Sequence, residues 1–166
     1  MAKTYRVTFA VRASNWLVAR LLRAGVKMGP KGFPMVLLTV RGRKSGQPRT
    51  VPVVMTEQDG QRYLIGTFGD VNWVRNLRAA GAATLARGRR AESVAAVELP
   101  TAEAARVLKR VVSIAPGFIR GYFDVTSQSS LEEFEREAPR HPVFRVQPLA
   151  QPARDAARDT ANSGAL

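Results

Sequence analysis

The fold is decided by residues 35–66, which read MVLLTVRGRKSGQPRTVPVVMTEQDGQRYLIG. Within this stretch, Met35–Arg41 and Thr50–Thr56 have the composition of β-strands and flank a turn that contains two glycines and a proline. Residues 58–61 are typical of a hairpin turn, and Arg62–Gly66 is expected to be a third strand. The stretch therefore predicts an antiparallel sheet built from consecutive hairpins.

On the C-terminal side of this stretch, further strands alternate with helices. The pattern predicts strands at Ala83–Arg87, Arg90–Leu99 and Val143–Val146, and helices at Val71–Ala80, Thr101–Ile114 and Leu131–Glu137. Asp70 is expected to cap the first of these helices and Gly81 to end it. Residues 117–130 are expected to form a loop or a short helix. Five or six short strands with helices between them predict a small α+β barrel.

Both ends of the chain are expected to lie outside the barrel. Residues 11–28 predict an amphipathic helix with Trp16 inside a cationic stripe, formed by Arg12, Arg20, Arg23 and Lys27. Such a helix suits either packing on the barrel with its basic side in water or contact with an anionic membrane surface. The predicted organisation is an N-terminal helix at 1–30, a barrel domain at 31–147 and a disordered tail at 148–166.

The composition excludes several chemistries. The 166 residues include no cysteine, so a disulfide scaffold, a thiolate metal site and a cysteine nucleophile are excluded. No apolar run approaches the ~20 residues of a membrane-spanning helix. The single histidine, His141, is expected to be a surface turn residue, with a catalytic base as the alternative, because the sequence nominates no partner carboxylate or nucleophile for it. The acidic run is expected to be a solvated helix face rather than a metal site; it contains Glu132, Glu133, Glu135 and Glu137.

The net charge of +13 is concentrated in the N-terminal third of the chain. Residues 1–56 contain eleven basic residues and no acidic residue. Such a charge attracts a polyanion, which can be a nucleic acid, an anionic lipid, or a phosphorylated or polycarboxylate ligand. The alternative is that the charge serves only solubility.

Three motifs offer chemistry. The turn at Arg41–Arg49 gathers four cations, a hydroxyl and backbone N–H groups, as an anion site requires, although basic hairpin turns are also common. The segment Gly66–Trp73 runs from a strand through a glycine-flanked turn into a helix N-terminus; its alternative is simple capping and core packing. In the aromatic segment 118–123, Tyr122 is either a donor to a ligand or a core tyrosine. Neither a P-loop nor a Rossmann glycine motif is present in the sequence.

These residues resemble the deazaflavin-dependent nitroreductase family, small split-β-barrel oxidoreductases of actinobacteria and some archaea that use coenzyme F420. The resemblance is carried by Leu37–Val53, whose turn reads GRKSGQPR, by Gly60–Gly69 and by Asn72–Leu77. It is strongest over residues 33–100, and Pro142–Val146 resembles the family's last strand more loosely. The resemblance implies an FMN-binding split-barrel-like fold of about six strands with flanking helices.

The resemblance also implies roles for individual residues. In the family, the basic turn holds the cofactor's phosphate and glutamyl tail; the positions that match here are Arg43, Lys44, Ser45 and Arg49. Pro52 and Val53 correspond to the strand along the deazaflavin ring. The turn that closes over the cofactor corresponds to Gly66, Thr67, Phe68 and Gly69, with Trp73 beyond it. Tyr122 is the one tyrosine available for the acceptor-side loop, and Thr67-Phe68 replaces the Ser-Lys of many members.

The implied function is hydride transfer from reduced F420 to a lipophilic, electron-poor acceptor, such as a quinone, an enone or a nitro compound. No metal is implied, and the expected location is cytoplasmic, with possible attachment to the inner face of the cell membrane through residues 11–28. Three alternatives remain open: a protein that binds F420 or a flavin without turnover, a basic nucleic-acid-binding module, and an FMN or haem split-barrel protein.

Overall fold

Six antiparallel strands close into a barrel. The computed structural model describes the backbone of residues 9–149 and the side chains of residues 14–149. The strands are β1 (Met35–Arg41), β2 (Pro48–Gln58), β3 (Gln61–Ile65), β4 (Ala82–Arg87), β5 (Arg90–Glu98) and β6 (Val143–Pro148). Their order around the barrel is β1-β2-β3-β6-β5-β4, and β1 pairs with β4 to close it. The predicted split-barrel fold is confirmed.

Helices surround the barrel. They are α1 (Phe9–Arg23), α2 (Asn72–Ala80), α3 (Thr101–Ile114), α4 (Gly117–Arg120) and α5 (Leu131–Glu137), followed by a 3₁₀ turn at Ala138–Arg140. The bounds of α3 and α5 agree with the sequence prediction. The predicted tail at 148–166 falls outside the described residues from position 150 onward. Among the described helices, none has the length and apolarity that crossing a bilayer requires.

Helix α1 ends five residues earlier than the predicted end at Met28. Gly25 adopts φ 90°, its N–H bonds to the Leu22 carbonyl at 3.1 Å, and the Val26 N–H bonds to the Leu21 carbonyl at 3.0 Å. This pair of bonds is a Schellman motif, which ends a helix at a glycine in the left-handed region. Lys27 therefore lies beyond the helix, and the side chain of Arg12 lies outside the described residues.

Asp70 does not cap α2, contrary to the prediction. The N-cap is Val71, and Asp70 instead accepts hydrogen bonds from Arg75 at 2.8 Å and from Arg78 at 2.9 Å. The carboxylate lies one residue before the cap, where the two guanidinium groups of the helix reach it. The predicted end of the helix is confirmed, because Gly81 has φ 65° and donates its N–H to the Leu77 carbonyl.

Two apolar clusters form the core. The first fills the barrel, and Val74 and Leu77 of α2 pack into it, so α2 lies against the barrel interior. The second lies between the outside of the barrel and helices α3 and α5, where Leu108 and Phe134 are fully buried. A smaller cluster joins α1 to the barrel through Leu22. These contacts fix α2 and the loops beside it on a rigid frame.

Candidate functional site

The basic turn is a stiff hairpin loop at Gly42–Gln47, closed by the Arg41–Pro48 pair of β1 and β2. The Gly42 N–H bonds to the Gln47 carbonyl at 2.9 Å, and the Gly46 N–H bonds to the Gly42 carbonyl at 2.8 Å. A Cβ on Gly42 would lie 2.9 Å from Ser45 Oγ and 3.2 Å from the Gln47 carbonyl oxygen, so a side chain there would force the Ser45 hydroxyl to move. The loop therefore holds its donors in one fixed arrangement.

Three cations in this loop or at the strand ends beside it are exposed to solvent. Arg41, Lys44 and Arg49 are exposed, and none forms an ion pair with another described residue. Ser45 Oγ lies beside them and accepts the Gln47 N–H at 3.3 Å. Unpaired cations on a rigid turn are available to bind an anion with charge-assisted hydrogen bonds.

Arg43 has a different position from the other cations. Its backbone N–H and its Nη1 both donate to Oδ1 of Asn76, at 3.2 and 2.9 Å. Asn76 is buried in α2, with 7% of its surface exposed. Arg43 thus ties the basic turn to α2. Sequence reasoning missed Asn76, although an asparagine between the core positions Val74 and Leu77 was a signal of a buried polar contact.

Trp73 lies on the same face of α2 as Asn76, because residues three apart on a helix are neighbours. Its indole is half-buried against the barrel core, 6.2 Å from the ring of Phe144. The Cβ atoms of Trp73 and Asn76 are therefore about 5–6 Å apart, and Asn76 in turn binds Arg43 of the basic turn. The ring packs on the core, as a structural tryptophan would, and part of its surface remains accessible to a ligand.

The glycine turn, Gly66–Gly69, precedes α2. The Gly69 N–H bonds to the Gly66 carbonyl at 2.8 Å, and the Gly66 N–H bonds to the Pro142 carbonyl at 2.8 Å. A Cβ on Gly66 would lie 3.1 Å from the Gly69 carbonyl oxygen, and Gly69 has φ 82°. The backbone is packed this closely because both positions lack a side chain.

Phe68 of the glycine turn contacts Tyr122 of the aromatic loop, which we define as Gly117–Phe123. The two rings meet edge to face with centroids 4.7 Å apart. Phe68 is 42% exposed, and Tyr122 is half-buried against the cluster around α3 and α5. Among the described residues, nothing hydrogen-bonds to the Tyr122 hydroxyl. The structure thus brings two of the predicted site segments into direct contact.

The two strand residues predicted beside the ring differ in accessibility. Pro52 is half-buried and pairs with Leu37 in a part of β2 that has only β1 as its neighbour. Val53 is 6% exposed and packs inside the barrel. Only the main chain of Val53 is therefore placed to face a ligand on the surface.

His141 is buried, contrary to the prediction of a surface turn residue. It is 4% exposed, and its Nε2 lies 2.9 Å from Oε1 of Glu137, a carboxylate that the sequence analysis placed on a solvated face. Its Nδ1 lies 3.1 Å from the Thr67 carbonyl. Burial lowers the pKa of His141 from its ordinary 6.5, although the bond to Glu137 opposes this shift. Over the part of the chain that the structure describes, no cluster of metal-ligating side chains occurs.

The donor set suits a ligand with an anionic tail and a flat ring. Cations without partners stand on the basic turn, and the half-buried Trp73 and the exposed Phe68 offer aromatic surface beyond it. The residues present therefore fit F420, whose phosphodiester and glutamates are anionic and whose deazaflavin is planar. The fold is that of a small closed β-barrel protein, and its candidate site is a turn with exposed cations beside aromatic surface.

The comparison with known families identifies the cofactor. The model of the F420H(2)-dependent quinone reductase family matches residues 11–129, so the chain belongs to this family. It is an F420H2-dependent reductase, and coenzyme F420 is its cofactor. The family resemblance and the cofactor predicted from the sequence are confirmed.

Solved structures resemble the chain at low sequence identity. An F420-H2 dependent reductase, FDR-A, is 24% identical with a TM-score of 0.47, over 68% of this chain and 93% of that chain. A domain-swapped dimer is 23% identical with a TM-score of 0.50, over 83% of this chain and 97% of that one, and it supports the fold. A candidate 5-nitroimidazole antibiotic resistance protein from Bacteroides thetaiotaomicron is 14% identical with a TM-score of 0.45, over 88% of this chain and 83% of that chain. No curated protein matched the sequence.

Proposed function

We propose that this protein transfers a hydride from reduced F420 to a lipophilic, electron-poor acceptor, with quinones as the principal class and enones and nitro compounds as further acceptors. F420 supplies the hydride when bound, so the chain itself needs no redox-active side chain. Its residues hold the cofactor, orient it and shield the reacting face from water. This division of labour agrees with a sequence that lacks cysteine and has one histidine.

The basic turn binds the anionic tail. Lys44 and Arg49 donate to the phosphate and glutamates, with Ser45 beside them and Arg41 as a fourth donor. Arg43 holds the turn in place through Asn76 rather than through the ligand alone. The main support for the proposal is that Arg41, Lys44 and Arg49, in or beside the hydrogen-bonded basic turn, are exposed and form no ion pair with a described carboxylate.

Residues of the glycine turn and of β2 would hold the ring of the cofactor. Gly66, Thr67, Phe68 and Gly69, together with Trp73, would cover the ring, and Pro52 with the main chain of Val53 would support it. The position of Trp73 one helical turn from Asn76, which binds Arg43 of the basic turn, supports this arrangement.

Tyr122 serves the acceptor. Its hydroxyl has no hydrogen-bond partner among the described residues, and its ring touches Phe68 of the glycine turn. A phenol in this position donates a hydrogen bond or a proton to the oxygen that becomes negative as the acceptor is reduced. Of the side chains predicted for the site, Tyr122 is therefore the one assigned a catalytic role.

The test is a cofactor titration followed by an acceptor screen. Purified protein is titrated with F420 and with FMN, and the reduced form of the bound cofactor is then offered quinones, enones and nitro compounds. Oxidation of reduced F420 by quinones supports the proposal. Tight F420 binding without oxidation by any acceptor favours the non-catalytic binding protein, and preference for FMN favours the FMN barrel.

A second proposal concerns attachment to an anionic membrane surface through α1. Trp16 is 61% exposed and Leu17 is 54% exposed, while Arg20 lies over the indole of Trp16 at 5.0 Å. Exposed apolar side chains beside cations favour the interface of an anionic bilayer. Deletion of α1 is a poor test, because Ala19 and Leu22 are buried.

Substitution on the exposed face tests this attachment. The intact protein is expected to co-sediment with anionic vesicles at low salt, and to remain in solution with neutral vesicles or at high salt. Trp16→Ser together with Leu17→Ser should weaken sedimentation with anionic vesicles. Failure of the unaltered protein to sediment at low salt would end the proposal.

A further inference from the structure

The single histidine of the chain sits in a buried junction between three segments of the fold. Its Nδ1 lies 3.1 Å from the carbonyl oxygen of Thr67 in the glycine turn, and its Nε2 lies 2.9 Å from Glu137 Oε1 at the end of α5. The imidazole packs on Phe123 of the aromatic loop, with ring centroids 4.2 Å apart. His141 thus touches all three segments at once.

Glu137 extends the junction to the aromatic loop. Its Oε1 also accepts the backbone N–H of Asp124 at 3.0 Å, and its Oε2 lies 3.1 Å from Nη1 of Arg140. The same Nη1 reaches the Asp124 carboxylate at 2.6 Å. One buried carboxylate therefore joins the histidine to the end of the aromatic loop.

The hydrogen-bond partners of His141 determine where one proton of the imidazole lies. A carbonyl oxygen can only accept, so the bond to Thr67 requires a proton on Nδ1. Nε2 lies 2.9 Å from Oε1 of Glu137, the same oxygen that accepts the Asp124 N–H. A phenylalanine at position 141 would preserve the packing on Phe123, but the Thr67 carbonyl would lose its donor and Glu137 would lose its contact with the imidazole.

We propose that His141 and Glu137 are a positioning pair that sets the distance between the glycine turn and the aromatic loop, and thereby the contact between Phe68 and Tyr122. The inference rests on the proposed function, because those two segments are the proposed cofactor and acceptor sides. Packing alone would be served equally well by apolar side chains, since a buried polar pair is costly to desolvate. The hydrogen bonds that join His141 to the glycine turn and Glu137 to the end of the aromatic loop account for a polar pair at this buried position.

The sole histidine makes the pair directly observable. In the ¹⁵N spectrum of the labelled apo protein, the imidazole gives one set of signals, and we expect a protonated Nδ1 in a hydrogen bond. Addition of F420 should shift Nδ1, because the glycine turn carries its acceptor. A bare Nδ1, or an imidazole spectrum unchanged at saturating F420, would overturn the inference.

Hydrogen exchange of the apo protein provides a test that needs no cofactor. In His141→Phe, the Gly69 amide should exchange about five- to tenfold faster, which is the scale of one lost hydrogen bond. The Gly66 amide should change less, because its bond to the Pro142 carbonyl remains. Unchanged exchange at Gly69 would contradict the positioning role.

A destabilised control separates positioning from general loss of stability. Val111→Ala removes buried apolar surface in α3 and touches neither bond of His141. If both variants accelerated Gly69 exchange equally, the pair would be structural only and the inference would fail. If the wild-type protein did not bind F420, the proposed cofactor site would fail, and the exchange data would still decide the role of the pair.

Discussion

Asn76 accepts two hydrogen bonds from Arg43, one from its backbone N–H and one from its guanidinium. The two residues are 33 positions apart, and their contact fastens the basic turn to the helix that carries Trp73. The turn's own hydrogen bonds make it stiff, and Asn76 determines where it stands. In the proposed cofactor site, Asn76 therefore positions the basic turn without needing to touch the cofactor.

Asn76→Ala should loosen the basic turn. Removal of the shared acceptor leaves the Arg43 N–H and guanidinium without their partner, and we expect a loss of about 1–3 kcal/mol in the free energy of unfolding. F420 affinity should fall as well, because the cations are no longer held together. Urea unfolding and F420 titration measure the two effects. Asn72→Ala, at an exposed position of the same helix, is the control and should leave F420 affinity unchanged.

Lys44→Ala and Arg49→Ala should each weaken F420 binding by about 1–3 kcal/mol, the scale of a lost charge-assisted hydrogen bond. Fluorescence quenching measures the dissociation constants. Arg89→Ala removes an exposed cation from the β4–β5 turn and should have little effect. The loss of affinity caused by each substitution should be smaller for a cofactor fragment without phosphate and glutamates than for intact F420. Wild-type affinity in both variants would show that the basic turn is not the tail site.

Tyr122→Phe should lower kcat with little change in F420 affinity. The substitution keeps the ring that meets Phe68 and removes the hydroxyl that we propose donates to the acceptor. Steady-state kinetics with several quinones, together with a cofactor titration, separates the two quantities. Unchanged kcat across these acceptors would make Tyr122 a packing residue.

The stability of the protein should fall as the pH decreases below about 6.5 because of His141. Burial lowers the pKa of this histidine, so the unfolded chain binds the proton at a higher pH than the folded one does. The contribution of neutral His141 to the free energy of unfolding is therefore complete above its ordinary pKa of 6.5. It is lost as the pH falls from that value through the lower pKa of the folded protein. Urea unfolding between pH 5 and 8 measures the slope. In the His141→Phe variant, the histidine's part of this pH dependence should disappear. If the variant and the wild-type protein showed the same dependence of stability on pH, the lowered pKa of His141 would be contradicted.

The hairpins and most helices could be predicted because their signals are local. Turn residues mark the ends of β1, β2 and β3, and the Ser130 capping box marks the start of α5. The end of α1 was wrong because the hydrophobic pattern continues past Gly25, and only the local backbone shows that this glycine closes the helix. Local pattern thus determines which elements form, while single backbone positions determine where they stop.

The contacts that assemble the site could not be predicted because they join distant parts of the chain. Arg43 meets Asn76, and His141 meets Thr67 at a separation of 74 residues. The pair Glu137 and His141 is only four positions apart, but Pro139 between them hid the helical spacing. The family resemblance predicted which cofactor is used. The structure showed which residues join the segments that we propose bind this cofactor.

The most direct test of the central claim is a parallel titration of the purified protein with F420 and FMN at low and high salt. We expect F420 to bind more tightly than FMN, and added salt to weaken F420 binding if exposed cations hold its anionic tail. Equal affinity for the two cofactors, or F420 binding that does not respond to salt, would contradict the claim that the basic turn of Arg41, Lys44 and Arg49 is the cofactor's anchor.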